Sequence, residues 1–593
     1  MRFNHSRVSP RWEILPAEPA TRDQLARELE IPPVLAQLLI NRGIRDSGSA
    51  YRFLHPSLAD LRSPLAPDPL PDVEKAVERV TRAIAGKEKI TIFGDYDADG
   101  ISATAILYLF LSRLGVPVDW ELPDRIREGY GLNLEAVRRI KARGAELIIT
   151  VDCGSANFEE ILLARELGLP VIVIDHHEVR EKLPAALALV NPKRRDSRFP
   201  FGDLAGVGVT FYFLIALRQK LRETGVLAPD GHNLKAYLDL VALGTIADMM
   251  PLREENRILV AFGLKELARA ERPGIRALRE VARTSGSNFV STEEVGFYLA
   301  PRINAGGRMG NSRIGLELIL SGELEQARKA AGELDRSNRD RQREEEKILA
   351  GARKQVEERL LSSAGVPASL VLADPGWHPG VVGIGAAKLM DEFNRPVCLI
   401  SIADGLGRGS GRSLPGVSII RILGDLSSDL VAYGGHERAA GFKILPETIS
   451  RFAQGFETAV SRMLESNPGV LEPSIPVDQE LDYPGLIELC NSGLERLEPF
   501  GMDNPEPVFL GRGLKAGKAE IFRSRHVRMV LDWENLPVRA MGFGLAGKYE
   551  QKKGDMLDIL FCLRPDRGYY RSRKSGSSPS VVLVDMKWTG NQI

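Results

Sequence analysis

Cysteine is scarce in this chain: four in 593 residues, at Cys153, Cys398, Cys490 and Cys562, with no CxxC pair. That excludes a disulfide framework and a cysteine-built zinc knuckle, and it suits a reducing cytoplasm. Long apolar runs are missing too. None approaches the roughly 20 residues needed to span a bilayer, and the leading segment has no apolar signal core, so the expectation is a cytoplasmic protein with no membrane association. There is no charge of one sign to speak of. Lys plus Arg and Asp plus Glu each total 79, so contact with nucleic acid would have to come from local patches. Aromatics are sparse at 6%. The length exceeds what one core can hold, and roughly 150 residues per domain implies three or four domains.

What is present is a long strand-helix alternation. After Pro-rich turns and helical patterns at 21–42 and 73–84, short apolar runs at 89–93, 118–122, 147–151 and 171–174 alternate with helical stretches at 101–114, 134–143 and 158–167, the pattern of a parallel, doubly wound sheet. A long apolar helix at 234–247 closes on Asp248. Residues 301–308 (PRINAGGR) read as a polar loop, and 316–361, densely charged between 335 and 354, as a solvated connecting helix. A second α/β unit follows at 368–464, with strands at 370–373 and 397–400, a helix at 382–393, and Gly-rich turns at 405–411 and 434–436. From about 475 the pattern changes to short alternating strands, as in a small β-barrel. Between Arg512 and Lys574 stand 15 basic and 7 acidic residues. With Phe522, Trp533, Tyr569 and Tyr570 interleaved, they form a plausible track for a single nucleic-acid strand.

Potential ligands fall where such sheets place their sites, beyond the carboxyl ends of the strands. The first strand runs into Asp95, Asp97 and Asp99, the third into Asp152, and the fourth into Asp175, His176 and His177. Singly, Asp152 could be a cap and Asp248 a helix end; clusters at successive strand ends are harder to dismiss. Hard carboxylate oxygens with one imidazole suit Mn²⁺ or Mg²⁺ better than structural zinc. Asp95, Asp97, Asp99, Asp152 and Asp248 are more anions than one divalent ion neutralises, so two ions are the economical expectation, a pairing suited to displacement at phosphorus.

The motifs GDYDADG (94–100), VDCG (151–154), DHH (175–177) and GTIAD (244–248), in that order, resemble those of the DHH phosphoesterase superfamily. Within it the chain is similar to the RecJ exonuclease family, through RIREGYGL (125–132), PRINAGGRM (301–309), WHPGVVG (377–383), GSGRS (409–413), GGHERAAGF (434–442) and LEPFGMDNPEP (497–507). The resemblance implies an α/β architecture: an N-terminal helical cap at 1–85, a parallel-sheet DHH catalytic domain at 86–315, a connecting helix at 316–364, a smaller DHH-associated domain at 365–470 and an OB-like barrel at 471–593. It implies Asp97, Asp99, Asp152, His176 and Asp248 as metal ligands, with Asp95 beside them. His177 would contact the scissile phosphate or a second metal, with Asp175 orienting an imidazole. Arg125, Arg308, Ser410 and Arg412 match residues that hold a terminal 5′-phosphate. Tyr130, Arg302, Asn304 and His436 lie in the same substrate-binding motifs. The implied activity is metal-dependent 5′ to 3′ hydrolysis of single-stranded DNA to mononucleotides in repair and recombination, by a monomer working with a helicase and a single-strand-binding protein. Two rivals are a phosphodiesterase for short oligonucleotides or cyclic dinucleotides, and a replication scaffold that has lost catalysis.

Overall fold

Five short runs of mostly apolar residues build the first sheet. Ile90–Phe93 (β1), Val118–Glu121 (β2), Leu147–Val151 (β3), Val171–Ile174 (β4) and Ala188–Val190 (β5) lie in the order β2-β1-β3-β4-β5, every neighbouring pair parallel. All residues of β1, β3, β4 and β5 are buried, which is why these strands read as apolar runs broken only by Thr91 and Thr150. Helices Ala98–Arg113 (α1), Leu134–Ala142 (α2) and Phe158–Glu166 (α3) make the crossovers. Gly206–Glu223 (α4) and Leu238–Ala247 (α5) pack on α1. The expected helix at 234–247 is α5 preceded by a 3₁₀ turn, Leu234–Tyr237. α1 starts inside the acidic stretch, three residues before the predicted start, because Asp97 caps it: its Oδ1 accepts from the N–H groups of Asp99 and Gly100 at 3.0 and 3.1 Å.

The computed structural model describes residues 9–125, 127–228, 230–362, 367–466, 468–550, 555–563 and 580–589. Its contacts divide the chain into two compact units. One holds Arg52–Arg341 with Leu497–Pro505; the other holds the residues up to Tyr51, Gln342–Arg496 and those from Glu506 onward. The expected cap at 1–85 is therefore shared out. Arg11–Ile14 pairs in parallel with Ser474–Val477, while the helix Val73–Gly86 packs on α4.

Two expectations fail in the first unit and along the helix that leaves it. Residues 301–308 are not a loop but a helix, Ala300–Arg308 (α6). Pro301 sits in its first turn, where a missing N–H costs least, and a π-turn at Val295–Leu299 precedes it, with the Ala300 N–H reaching back to the Val295 carbonyl. The connecting helix is Leu324–Ser362 (α7), separated from the helix Arg313–Leu320, and it is not simply solvated. A stripe at three- and four-residue spacing is buried: Ala327, Ala331 and Leu334 in one core, and Ile348, Ala352 and Val356 in the other. Buried polar residues Asn338, Arg341 and Glu345 occupy the middle of that stripe, and they hid it among the surface charges.

In the second unit, Leu370–Asp374 (β6), the helix Val382–Phe393 (α8), Val397–Ala403 (β7), Leu406–Arg412 (β8), Leu430–Gly435 (β9) and Ala439–Ile444 (β10) form a sheet ordered β9-β10-β8-β7-β6, with β6 and β7 parallel and the rest antiparallel. The Gly-rich turn expected at 405–411 is mostly β8 itself. Its glycines make room for large neighbours: a Cβ on Gly409 would lie 2.2 Å from the Phe442 ring and one on Gly411 2.1 Å from Ile419. A barrel follows, built of Phe509–Phe522 (β11), His526–Trp533 (β12), Leu536–Gly542 (β13), Met556–Cys562 (β14) and Ser580–Thr589 (β15). Its order is β11-β12-β13-β15-β14, with β14 closing back on β11. Trp533 is buried between Tyr483 and Phe561, so it is a core residue and no stacking surface. Phe522 carries the Arg528 guanidinium 5.4 Å over its ring. Tyr569 and Tyr570 lie outside the described residues. No helix among the described residues is long and apolar enough to cross a membrane.

Candidate metal centre

The loops leaving β1, β3 and β4, together with the end of α5, bring the predicted ligands to one place. Three overlapping sets have donor atoms within 4.8 Å of one another: Asp95, Asp97 and Asp152; Asp152, His176 and His177; Asp99, His176 and Asp248. His176 Nε2 is 3.1 Å from Asp152 Oδ1, 3.6 Å from Asp248 Oδ2 and 3.9 Å from Asp99 Oδ2. Asp99 is held from two sides of the chain. It lies in the first turn of α1, and its two oxygens accept from the Gly206 and Val207 N–H groups at the start of α4, at 2.7 and 2.9 Å, so the positive end of α4 fixes a carboxylate that the sequence placed on another element. Close approach requires glycine here. A Cβ on Gly206 would lie 2.5 Å from Asp152 Oδ1, and one on Gly244 2.7 Å from Asp99 Oδ1.

Electrostatics say what such a cluster needs. Burial, then mutual repulsion, pushes the carboxyls of Asp95, Asp99 and Asp152 well above the usual range, and raises Asp248 to about 7. Asp95 Oδ1 is buried with no hydrogen-bond partner. Divalent cations would supply both the missing partner and the missing charge, and the oxygen-rich donor set fits Mn²⁺ or Mg²⁺.

The two histidines differ. Burial and the neighbouring His177 hold His176 down at about 3, so it stays neutral and able to ligate. His177 resists burial and is raised to about 9 by Asp175, whose Oδ1 lies 2.8 Å from its Nδ1. Asp175 is in turn kept well below the carboxylate range, against its burial, by His177; it also accepts from Ser155 N at 2.9 Å and His176 N at 2.8 Å. The Tyr130 hydroxyl donates to the Asp152 carbonyl at 3.0 Å and lies 3.0 Å from His177 Nδ1. Asn191 was not foreseen. It is fully buried just past β5, and its amide donates to the His177 carbonyl at 2.9 Å and to Ser155 Oγ at 3.0 Å. As the polar residue ending a further buried strand, it repeated the pattern that marked Asp152 and Asp175. Because it fixes the loop carrying His177, Asn191→Ala should lower kcat by roughly 10- to 100-fold with KM little changed, which steady-state kinetics on a labelled strand would read.

The remaining expected residues sort by position. Arg125 stacks over Tyr96 at 4.9 Å from the ring centroid. Arg308 is pushed down to about 9 by burial and by Arg125 and Arg341, a crowding of guanidiniums that an anion would relieve. Asn304 accepts from the Ala98 N–H at 2.7 Å and so braces the acidic loop. Arg302 is engaged by Asp335 at 3.0 Å and by the Tyr298 carbonyl at 2.6 Å. In the other unit, Arg412 donates to Ser410 Oγ at 3.0 Å, and both crowd the start of α8, where a Cβ on Gly383 would lie 2.9 Å from Ser410 Oγ and 3.1 Å from Arg412 Nη2. His436 is exposed at the β9–β10 turn.

Family models match along the chain: DHH family, N-terminal domain, over residues 89–245; the DHHA1 domain over 365–462; and the RecJ OB domain over 477–575. The single-stranded-DNA-specific exonuclease RecJ of Dickeya dadantii is 38% identical over 512 residues, covering 85% of this chain and 87% of that protein. The chain belongs to the RecJ family. The Bacillus subtilis RecJ is 37% identical over 543 residues, covering 90% of this chain, which spans 66% of that longer relative. The crystal structure of RecJ from Thermus thermophilus in complex with Mn²⁺ superposes with a TM-score of 0.80 at 31% identity, covering 98% of this chain and 80% of that one. A RecJ fold and a cluster of hard ligands that demands cations thus coincide in one chain.

Proposed function

We propose that this chain is a metal-dependent exonuclease that hydrolyses single-stranded DNA from the 5′ end to mononucleotides, in DNA repair and recombination. One observation carries the reading: in a RecJ-family chain, buried carboxylates and a neutral imidazole converge in overlapping sets at the strand ends. Asp95, Asp97, Asp99, Asp152, His176 and Asp248 would hold two Mn²⁺ or Mg²⁺ ions. Bound there, the ions supply a hydroxide at neutral pH and offset the charge that develops on the phosphoryl oxygens. Asp175 keeps His177 protonated through Nδ1, leaving Nε2 to donate to the substrate phosphate or the departing oxygen. Arg125 and Arg308 offer positive charge to strand phosphates.

Ser410, Arg412 and the first turn of α8 make an anion cradle in the second unit, which we assign to the terminal 5′-phosphate. Arg412→Ala should therefore cut the preference for 5′-phosphorylated over 5′-hydroxyl strands by roughly 10- to 100-fold, the worth of a hydrogen bond to a charged group. Competition between the two strands measures it. The deciding assay gives the purified chain Mn²⁺ and end-labelled strands. Release of 5′ mononucleotides from single strands but not from blunt duplex supports the reading; release that needs no divalent ion would sink it. A phosphodiesterase for short oligonucleotides would instead degrade dinucleotides faster than long strands. The basic excess of the sequence between Arg512 and Lys574, part of which lies outside the described residues, argues against that, since a dinucleotide has no use for an extended run of cations.

A further inference from the structure

The π-turn ahead of α6 exposes what most of this unit hides. Phe297 is 65% and Tyr298 48% exposed, although Val295 and Leu299 on either side are fully buried. The extra residue of the turn causes this: with the Ala300 N–H bonded five residues back, the helix is widened and underwound by one inserted residue, and two adjacent aromatic side chains are turned outward together. The turn is also braced. The Tyr298 carbonyl accepts from the Arg302 guanidinium at 2.6 Å, which Asp335 anchors from α7. Arg302, expected to touch substrate, thus braces this turn.

The location gives the pair a meaning. The π-turn packs on α5, where a Cβ on Gly296 would lie 3.9 Å from Ile246, two residues before Asp248. Met249, directly after Asp248 in a left-handed conformation at φ 57°, is 50% exposed. The helix that follows the turn carries Asn304 onto the acidic loop. Two exposed rings therefore stand on a turn packed against the end of α5 that carries Asp248, with an exposed thioether directly after that aspartate. A strand whose phosphates lie among the ions must place its bases somewhere, and every base has a face that stacks on an aromatic ring.

We propose that Phe297 and Tyr298 form a stacking platform for one or two nucleobases of the substrate strand next to the bond being cut. The assignment rests on the exonuclease reading above. It makes the pair a ground-state contact with bases, so its effect belongs in KM.

The test walks a single abasic residue through the first positions of a 5′-phosphorylated oligo-dT strand and measures kcat/KM with Mn²⁺ for each. The native protein should lose roughly tenfold, the order of one stacked base, at one or two adjacent positions. In Phe297→Ala/Tyr298→Ala that position-specific penalty should vanish because KM on the intact strand has already risen by the same factor, and Phe297→Trp should restore it. Both rings are exposed, so their removal leaves the core intact. A penalty profile identical in native and variant proteins would overturn the platform and leave the pair as a surface for a protein partner. Failure of the native protein to cut any strand would sink the exonuclease reading and the platform with it; a native protein that cuts beside an unchanged variant sinks the platform alone.

Discussion

Replacing Asp152 by Asn is expected to abolish strand degradation, lowering kcat by roughly a thousandfold or more, at least the loss seen when one preorganised transition-state contact is removed. Asp152 is a costly position because its oxygens serve two of the three donor sets, one with Asp95 and Asp97 and one with His176 and His177, a sharing matched by His176. Asparagine keeps the shape, and it tolerates the left-handed backbone at φ 59°. The Tyr130 contact also survives, since it is made to the carbonyl of the main chain. Folding therefore should not fail. The unliganded variant should in fact melt higher than the native chain at pH 8, because a buried anion repelled by Asp99, Asp97 and Asp95 has been removed. A variant that still degrades strands at the native rate, or melts lower without metal, would contradict the assignment of Asp152 as a shared ligand.

Mn²⁺ should raise the melting temperature by an amount that grows with pH. The carboxyls of Asp95, Asp99, Asp152 and Asp248 are all raised in the folded chain, by burial first and by neighbouring carboxylates, Asp97 among them, second. A carboxyl raised on folding stabilises the fold below its unfolded value near 4, and that contribution disappears as pH climbs through its folded value, about 7 for Asp248. The metal-free protein is accordingly weakest above pH 7, where the cluster is most fully ionised and cations have most to offset. At a hundred times its dissociation constant a ligand adds about 2.7 kcal/mol, which for the unit of about 300 residues that holds the cluster corresponds to roughly 4 °C. At pH 5 protons compete for the same oxygens and the shift should shrink to about a degree or two. Calorimetry at the two pH values, with and without Mn²⁺, reads the difference; equal shifts at both would show that the ions bind elsewhere.

The strands and the acidic centre were legible for one reason. Doubly covered parallel strands are apolar but for an occasional buried threonine, so the first charged or amide residue after each marks where the sheet ends and a site can begin. Asp95, Asp152, Asp175 and Asn191 all obey that rule, although the last was passed over because an amide does not advertise itself as a ligand. Illegible features had a different cause, since each depends on a partner distant in the chain. Gly407, Gly409 and Gly411 looked like a turn until Phe442, Ile419 and Ile444 were seen against them. Pro301, Gly306 and Gly307 looked like a loop because nothing local announces a π-turn. Trp533 looked like a stacking ring, and its burial against Tyr483 and Phe561 shows it belongs to the barrel core.

The grip of α4 on Asp99 carries a consequence for how the site is assembled. A chain in which Gly206 and Val207 are not docked lacks the two contacts that hold Asp99 beside His176 and Asp248. Such a chain owns every ligand but no site. The cation site is thereby conditional on a helix that begins 107 positions after the aspartate it captures.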